Sequence, residues 1–203
     1  MQDTFFHLLE PSLLEGLQRG ERAALAAVFE RYQRAAYNLA LRMVGDAAAA
    51  EDVVQEVFLR LPRAVARFRG EAPFGAWLRR MIANACIDEL RRRRWLDCDS
   101  APESLLDPRG TADLAEAQAE AWALLRTLPP RARAVLVLHA VEGWTHGEIG
   151  TLFGQSESYS KSILSRALRR LQRHGPAGLA DEDNDGSTDE ARNERHAHRT
   201  GAA

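Results

Sequence analysis

Apolar positions along this chain recur at intervals of three and four, and no stretch alternates as a half-buried strand does. Between residues about 10 and 44, Leu25, Val28, Phe29, Tyr32, Ala36, Leu39 and Ala40 share one stripe, which predicts one or two helices. Gly45 ends that run, and Asp46 is a good N-cap for a second helical stretch over about 47–67, with Val53, Val54, Val57, Phe58 and Leu61 inside. Pro62 lies within it and predicts a kink or break, because proline removes one ladder hydrogen bond and crowds the preceding turn. Phe68-Arg-Gly-Glu-Ala-Pro-Phe74 reads as a loop. A further helix follows from about Phe74 to Arg94, apolar at 74, 77, 78, 81, 82 and 85.

The pattern then lapses. Residues 97–112 hold Pro, Gly and Asp without periodicity and predict a flexible linker. Helical spacing resumes near Asp113 and runs to Leu128, where Pro129-Pro130 restarts the chain for a short apolar helix over 131–142. Gly143 stops it, and Thr145 caps the next helix, which runs to Phe153. Gly154 permits the left-handed backbone of a tight turn, and Ser156 caps a last helix reaching His174. A short helix, a tight turn and a basic helix make a helix-turn-helix pattern, although Gly147 and Gly150 each weaken the first helix by roughly 1 kcal/mol relative to alanine. The expected fold is all-α. It comprises a helical domain over 1–96, a linker over 97–112, a helix-turn-helix domain over 113–174 and a disordered polar tail over 175–203.

Composition narrows the function. The chain has 203 residues, 45% apolar, and no run approaches the roughly 20 apolar residues that span a bilayer. Its start lacks the basic region and cleavage site of a signal peptide, so the expected location is the cytoplasm, where Cys86 and Cys98 are expected as free thiols. Net charge is −2, but arginine clusters at Arg91–Arg94 and at Arg166, Arg169, Arg170 and Arg173. Asp181-x-Asp183-x-Asp185-Gly186 opens like a calcium loop, yet its twelfth position is Arg192 where a bidentate Glu is needed. No phosphate-cradling loop, catalytic triad or paired-carboxylate constellation is present, so neither enzyme activity, metal nor cofactor is expected.

Chemistry therefore concentrates on surfaces. Ser156, Ser158, Tyr159, Lys161 and Ser162 open the last helix, where a recognition helix presents side chains to base edges. Arg166, Arg169 and Arg170 suit phosphates, which position a protein without reading sequence. Asp52, Gln55 and Glu56 form a polar ridge opposite their helix's core stripe. Asn84, Asp88 and Arg91 lie three or four apart and share a face.

These segments resemble the extracytoplasmic-function sigma factors of bacterial RNA polymerase. Leu128-Pro-Pro continuing to Glu142-Gly143 and Glu148-Ile149 resembles region 4; Ala50-Glu-Asp-Val-Val-Gln-Glu-Val-Phe58 resembles region 2.2; the helix that opens with Phe74-Gly-Ala-Trp77-Leu78 resembles regions 2.3 and 2.4. The resemblance covers about residues 20–95 and 113–173. It implies a protein that binds core RNA polymerase through Asp52, Gln55 and Glu56 and answers to an anti-sigma factor. It implies minus-ten DNA recognition by Phe68, Phe74, Asn84, Asp88, Arg91 and Arg92, with Phe68 and Phe74 walling a pocket for an unstacked base; read from the residues alone both are also core anchors, and for Phe74 the core is the favoured place. The last helix would read the minus-thirty-five element. Two positions depart from the family: Ser160 stands for the usual valine, bringing a hydroxyl into expected core, and Ile163 for the usual arginine, removing an expected DNA contact. Two other classes stay open: a helix-turn-helix regulator that never meets polymerase, and a mimic that titrates an anti-sigma protein. The first leaves Asp52–Phe58 and Phe74–Leu78 unexplained; mimics resembling this family carry a receiver domain for which the chain has no room.

Overall fold

The computed structural model describes residues 5, 7–96 and 121–174. The expected linker, the start of the second half at 113–120, Cys98 and the whole tail with its calcium-like run lie outside the described residues. Every regular element among the described residues is helical.

The first half holds four helices: α1 (Pro11–Gln18), α2 (Arg22–Val44), α3 (Ala47–Val65) and α4 (Phe74–Leu96). Their ends follow the local chemistry. Pro sits in the first turn of α1, where its missing N–H costs nothing. Gly45 closes α2 at φ 73°, and the Asp46 carboxylate accepts from the Ala49 N–H at 2.7 Å to cap α3. The expected break at Pro62 does not occur. Helix α3 runs on to Val65, because Pro62 falls in its last turn and forfeits a bond only where the ladder is ending. Helices α2, α3 and α4 pack mutually, with α1 against α2 and α3. The predicted stripes face inward apart from Phe29, which is 38% exposed: Val28, Tyr32, Ala36 and Leu39 of α2 meet Val53, Val57 and Leu61 of α3 and Leu78 and Ile82 of α4.

The second half has a helical segment over 121–126, then α5 (Pro130–Leu136), α6 (His146–Phe153) and α7 (Glu157–His174). The apolar helix expected over 131–142 is α-helical only to Leu136. Val137–Val141 forms a wider π turn, closed by Glu142 N–H to Val137 O at 3.0 Å. Helix α5 packs on α7 and, across the chain, on α2 and α4. One contiguous apolar core therefore runs from the first half into Ala134, Val135, Leu138, Trp144 and Ile149 of the second.

Candidate nucleic-acid interface

On α3, Asp52 and Gln55 are exposed and Glu56, paired with Arg60, is half-exposed. The core stripe turns the other way. Leu59 continues this outward face one turn further and is 73% exposed. It escaped the sequence reading, although an apolar residue out of phase with its own stripe was the available signal.

On α4, Asn84, Asp88, Arg91 and Arg92 all reach the surface. Asp88 and Arg91 pair at 3.0 Å. Buried Glu89 pairs with Arg92 and, at 2.7 Å, with Arg93, which also reaches Asp46 at 3.1 Å. Burial disfavours the Arg93 charge, yet its hydrogen bonds to Glu89 and Asp46 outweigh that and raise its pKa.

The loop before α4 brings Phe68 to the rim of an open cleft of about 440 Å³, whose wall also includes Arg67, Trp77 and Arg80. Phe68 is half-buried, with its ring centroid 5.1 Å from that of Trp77. Phe74 sits behind it, 4% exposed and 5.8 Å from the Tyr32 ring. Its ring belongs to the core and supports the cleft wall from within.

The helix-turn-helix forms as its caps predict. Thr145 and Glu148 make a reciprocal capping box, and hydrogen bonds from the Thr145 N–H and hydroxyl hold the Glu148 carboxyl below its usual range. Gly154 takes φ 65°. Gly150, a weakness by helix propensity, is required by space: a Cβ there would lie 2.9 Å from the Gln155 carbonyl oxygen and from Ser156 backbone atoms. The Ser156 hydroxyl oxygen accepts from the Tyr159 N–H at 3.2 Å and caps α7.

Ser158, Lys161 and Ser162 are exposed on the opening turns of α7, with Lys161 paired to Glu157 at 2.6 Å. Arg166, Arg169 and Arg170 are exposed further along; Arg166 and Arg169 donate to the carbonyls of Ser162 and Ser165 in the preceding turn. Tyr159 is half-buried, its ring centroid 6.2 Å from Phe153. The two departures settle inward. Ser160 is fully buried with its hydroxyl 3.0 Å from His146 Nδ1, so the polar group is partnered, and Ile163 is half-buried against the core.

The surfaces of the two halves meet. Arg91 donates to the Phe153 carbonyl at 3.2 Å, and beside that bond Arg91 and Tyr159 line a small cavity. Trp144 and Glu148 wall the second-half side of the larger cleft. Arg133, 6% exposed, donates to the carbonyls of Val44 at 2.6 Å and Met43 at 3.3 Å. Burial, aided by the nearby Arg126 charge, lowers its pKa to about 10. Glu142, 9% exposed, pairs with Arg42 at 3.4 Å and Arg79 at 3.6 Å.

Burial pushes the Cys86 thiol pKa far up, which removes it as a nucleophile. No group of three or more His, Cys, Asp or Glu able to hold a metal ion occurs among the described residues, and none of their helices is long and apolar enough to cross a membrane.

Two family models match the chain in this order: Sigma-70 region 2 over residues 28–96 and Sigma-70, region 4 over residues 118–171. The chain is 30% identical to the RNA polymerase sigma-H factor of Pseudomonas aeruginosa over 178 residues, covering 81% of this chain and 92% of that protein. It is 32% identical to the ECF RNA polymerase sigma factor SigM of Mycobacterium tuberculosis, covering 81% and 83%. In fold it is similar to the sigma factor RpoE solved in complex with the anti-sigma factor NepR from Bartonella quintana. That match has a TM-score of 0.56 and 21% identity, covering 73% of this chain and 94% of that one.

Proposed function

We propose a division of labour for this chain, which belongs to the extracytoplasmic-function sigma factors and directs core RNA polymerase to promoters to initiate transcription. The outward face of α3 docks on polymerase through Asp52, Gln55 and Glu56, with Leu59 as its apolar anchor. Phe68, Asn84, Arg91 and Arg92 engage the opened minus-ten strand, with Asp88 orienting Arg91 and Phe74 backing Phe68. The opening turns of α7 read the minus-thirty-five element while Arg166, Arg169 and Arg170 hold phosphates. Residues 1–96 and 113–174 are then the working domains, 97–112 their tether and 175–203 a dispensable tail. The work is non-enzymatic and cytoplasmic. An anti-sigma partner is part of this reading, supported by the RpoE–NepR complex.

The observation that carries the docking assignment is the run of Asp52, Gln55, Glu56 and Leu59 along an outward face whose reverse is fully committed to the core. The test is co-purification with core polymerase. Asp52→Ala with Gln55→Ala should weaken core binding at least tenfold, while unfolding free energy changes by less than about 0.5 kcal/mol, as for exposed positions generally. A matching loss of stability would reassign these residues to the fold.

A further inference from the structure

We propose that Phe5 is a positioning residue for minus-ten recognition: it pins the first turn of α4 and, through it, the aromatic wall that receives the unstacked base. The inference rests on the base-receiving role proposed above for Phe68.

That wall is held mainly by ring contacts. Phe68 stands on the connection between α3 and α4, which carries Gly70 at φ 73°. Its ring centroid lies 5.1 Å from Trp77 and 5.9 Å from Phe74, and those two rings are 5.6 Å apart. Phe74 and Trp77 both belong to the first turn of α4. A first turn has backbone N–H groups without intrahelical partners, and helix ends fray, so the wall is only as fixed as that turn.

Phe5 closes on the turn from behind. It precedes α1, yet it is only 5% exposed. Its backbone lies against Gly75, where a Cβ would stand 2.1 Å from the Phe5 carbonyl oxygen and 2.7 Å from the carbonyl carbon. Such a close approach of two backbones requires a residue without a side chain. The Phe5 ring stacks on fully buried Tyr32 of α2, with centroids 6.0 Å apart and planes 22° apart. Tyr32 in turn lies 5.8 Å from Phe74. Rings therefore touch in sequence from Phe5 through Tyr32 and Phe74 to Phe68, in a close-packed interior that passes displacement on to its neighbours.

A second tie keeps the segment in place. Arg31 of α2 donates to the Leu8 carbonyl at 3.3 Å, and its guanidinium lies 5.8 Å from the Tyr32 ring centre. Phe5 stands behind the wall and not in the cleft, so it acts on the base only through the rings and the turn it supports.

The test uses holoenzyme, assembled from the full-length chain and core polymerase, binding fluorescein-labelled fork promoters with a single-stranded minus-ten arm. Forks carrying one abasic minus-ten nucleotide at a time locate the pocketed base. The ratio of affinities, intact fork over abasic fork, then measures what the wall contributes. In the wild type it should be roughly tenfold, as for a base stacked on an aromatic side chain. Phe5→Ala should bring the ratio close to one while leaving affinity for the abasic fork and for core polymerase unchanged. Gly75→Ala should do the same by a different route: it favours the helix, keeps every ring and lifts the Phe5 backbone away by collision. It decides the matter if Phe5→Ala fails to fold. The proposal is overturned if Gly75→Ala, or a folded Phe5→Ala, keeps the wild-type ratio; a uniform fall in all affinities would make Phe5 an ordinary support of the fold. Phe68→Ala separates the two readings. If it leaves the ratio intact, the base-receiving role itself fails, whereas a ratio lost in Phe68→Ala and kept in the other two sinks the role of Phe5 alone.

Discussion

The arginines of α4 and α7 look alike in sequence and are held in opposite ways. On α4, Arg91, Arg92 and Arg93 are each tied to an acid, and Arg93 bridges Glu89 to Asp46 at the cap of α3. On α7, Arg166 and Arg169 lean on carbonyls of their own helix and project into solvent. An ion pair with a buried partner fixes a surface, whereas an exposed guanidinium remains available for a phosphate. Basic composition alone does not reveal which of these a helix does; the acids within one turn decide it.

The sharpest way to break this contrast is to remove the buried acid. Glu89→Ala should cost about 2–3 kcal/mol, somewhat less than a fully buried pair because Arg93 is partly exposed. Urea denaturation measures it, and a loss under about 0.5 kcal/mol would make α4's pairs ornamental. Arg166→Ala with Arg169→Ala should leave stability within about 0.5 kcal/mol of wild type. In holoenzyme bound to promoter duplex, it should lower the slope of log affinity against log salt by about 0.9 for each lost contact, evenly across promoters. Asn84→Ala, in contrast, should reorder which minus-ten sequences a promoter library yields. If Asn84→Ala scaled every promoter down together while Arg166→Ala changed the ranking, the roles of the two helices would be exchanged.

The smallest effect concerns the Ser160–His146 pair. Partial burial, helped by the charges of His139 and Lys161, lowers the His146 pKa, with Glu157 opposing. The unfolded chain then takes up a proton near the ordinary value of about 6.5, above the folded chain. Stability from this source is present above about pH 6.5 and declines as pH falls from there through the folded value. His146→Gln should flatten that decline in thermal melts between pH 7 and 5.5; an unchanged slope would place the titrating group elsewhere.

Most of the helical frame was legible because its determinants are local. Asp46, Thr145, Gly154 and Ser156 announce helix ends within a few residues, and the stripes of α2, α3 and α4 turn inward as their spacing requires. Locality also explains what could not be read. Arg133 and Val44 are 89 residues apart in the chain, and Arg42 and Glu142 are 100 apart. No periodicity connects them. The π turn likewise escapes a reading built on 3.6 residues per turn. The family resemblance set Phe74 at a pocket wall while its place in the apolar stripe favoured the core, and the packing beside Tyr32 bears out the core. Ser160 had the appearance of a defect until folding brought His146, fourteen residues earlier, against it.

Gly150 carries a lesson for anyone who would engineer this protein. A stabilisation campaign guided by helix propensity would replace it with alanine early, expecting a gain of about 1 kcal/mol. The added methyl would instead strike the backbone of Gln155 and Ser156, which has no flexible side-chain end to swing aside. The turn would have to widen and α7 re-aim against α6, so such a variant would melt no higher and would misdirect the reading helix. At position 147 an added methyl would meet only the Thr145 hydroxyl oxygen, at 4.0 Å, and that is the site where the same substitution belongs.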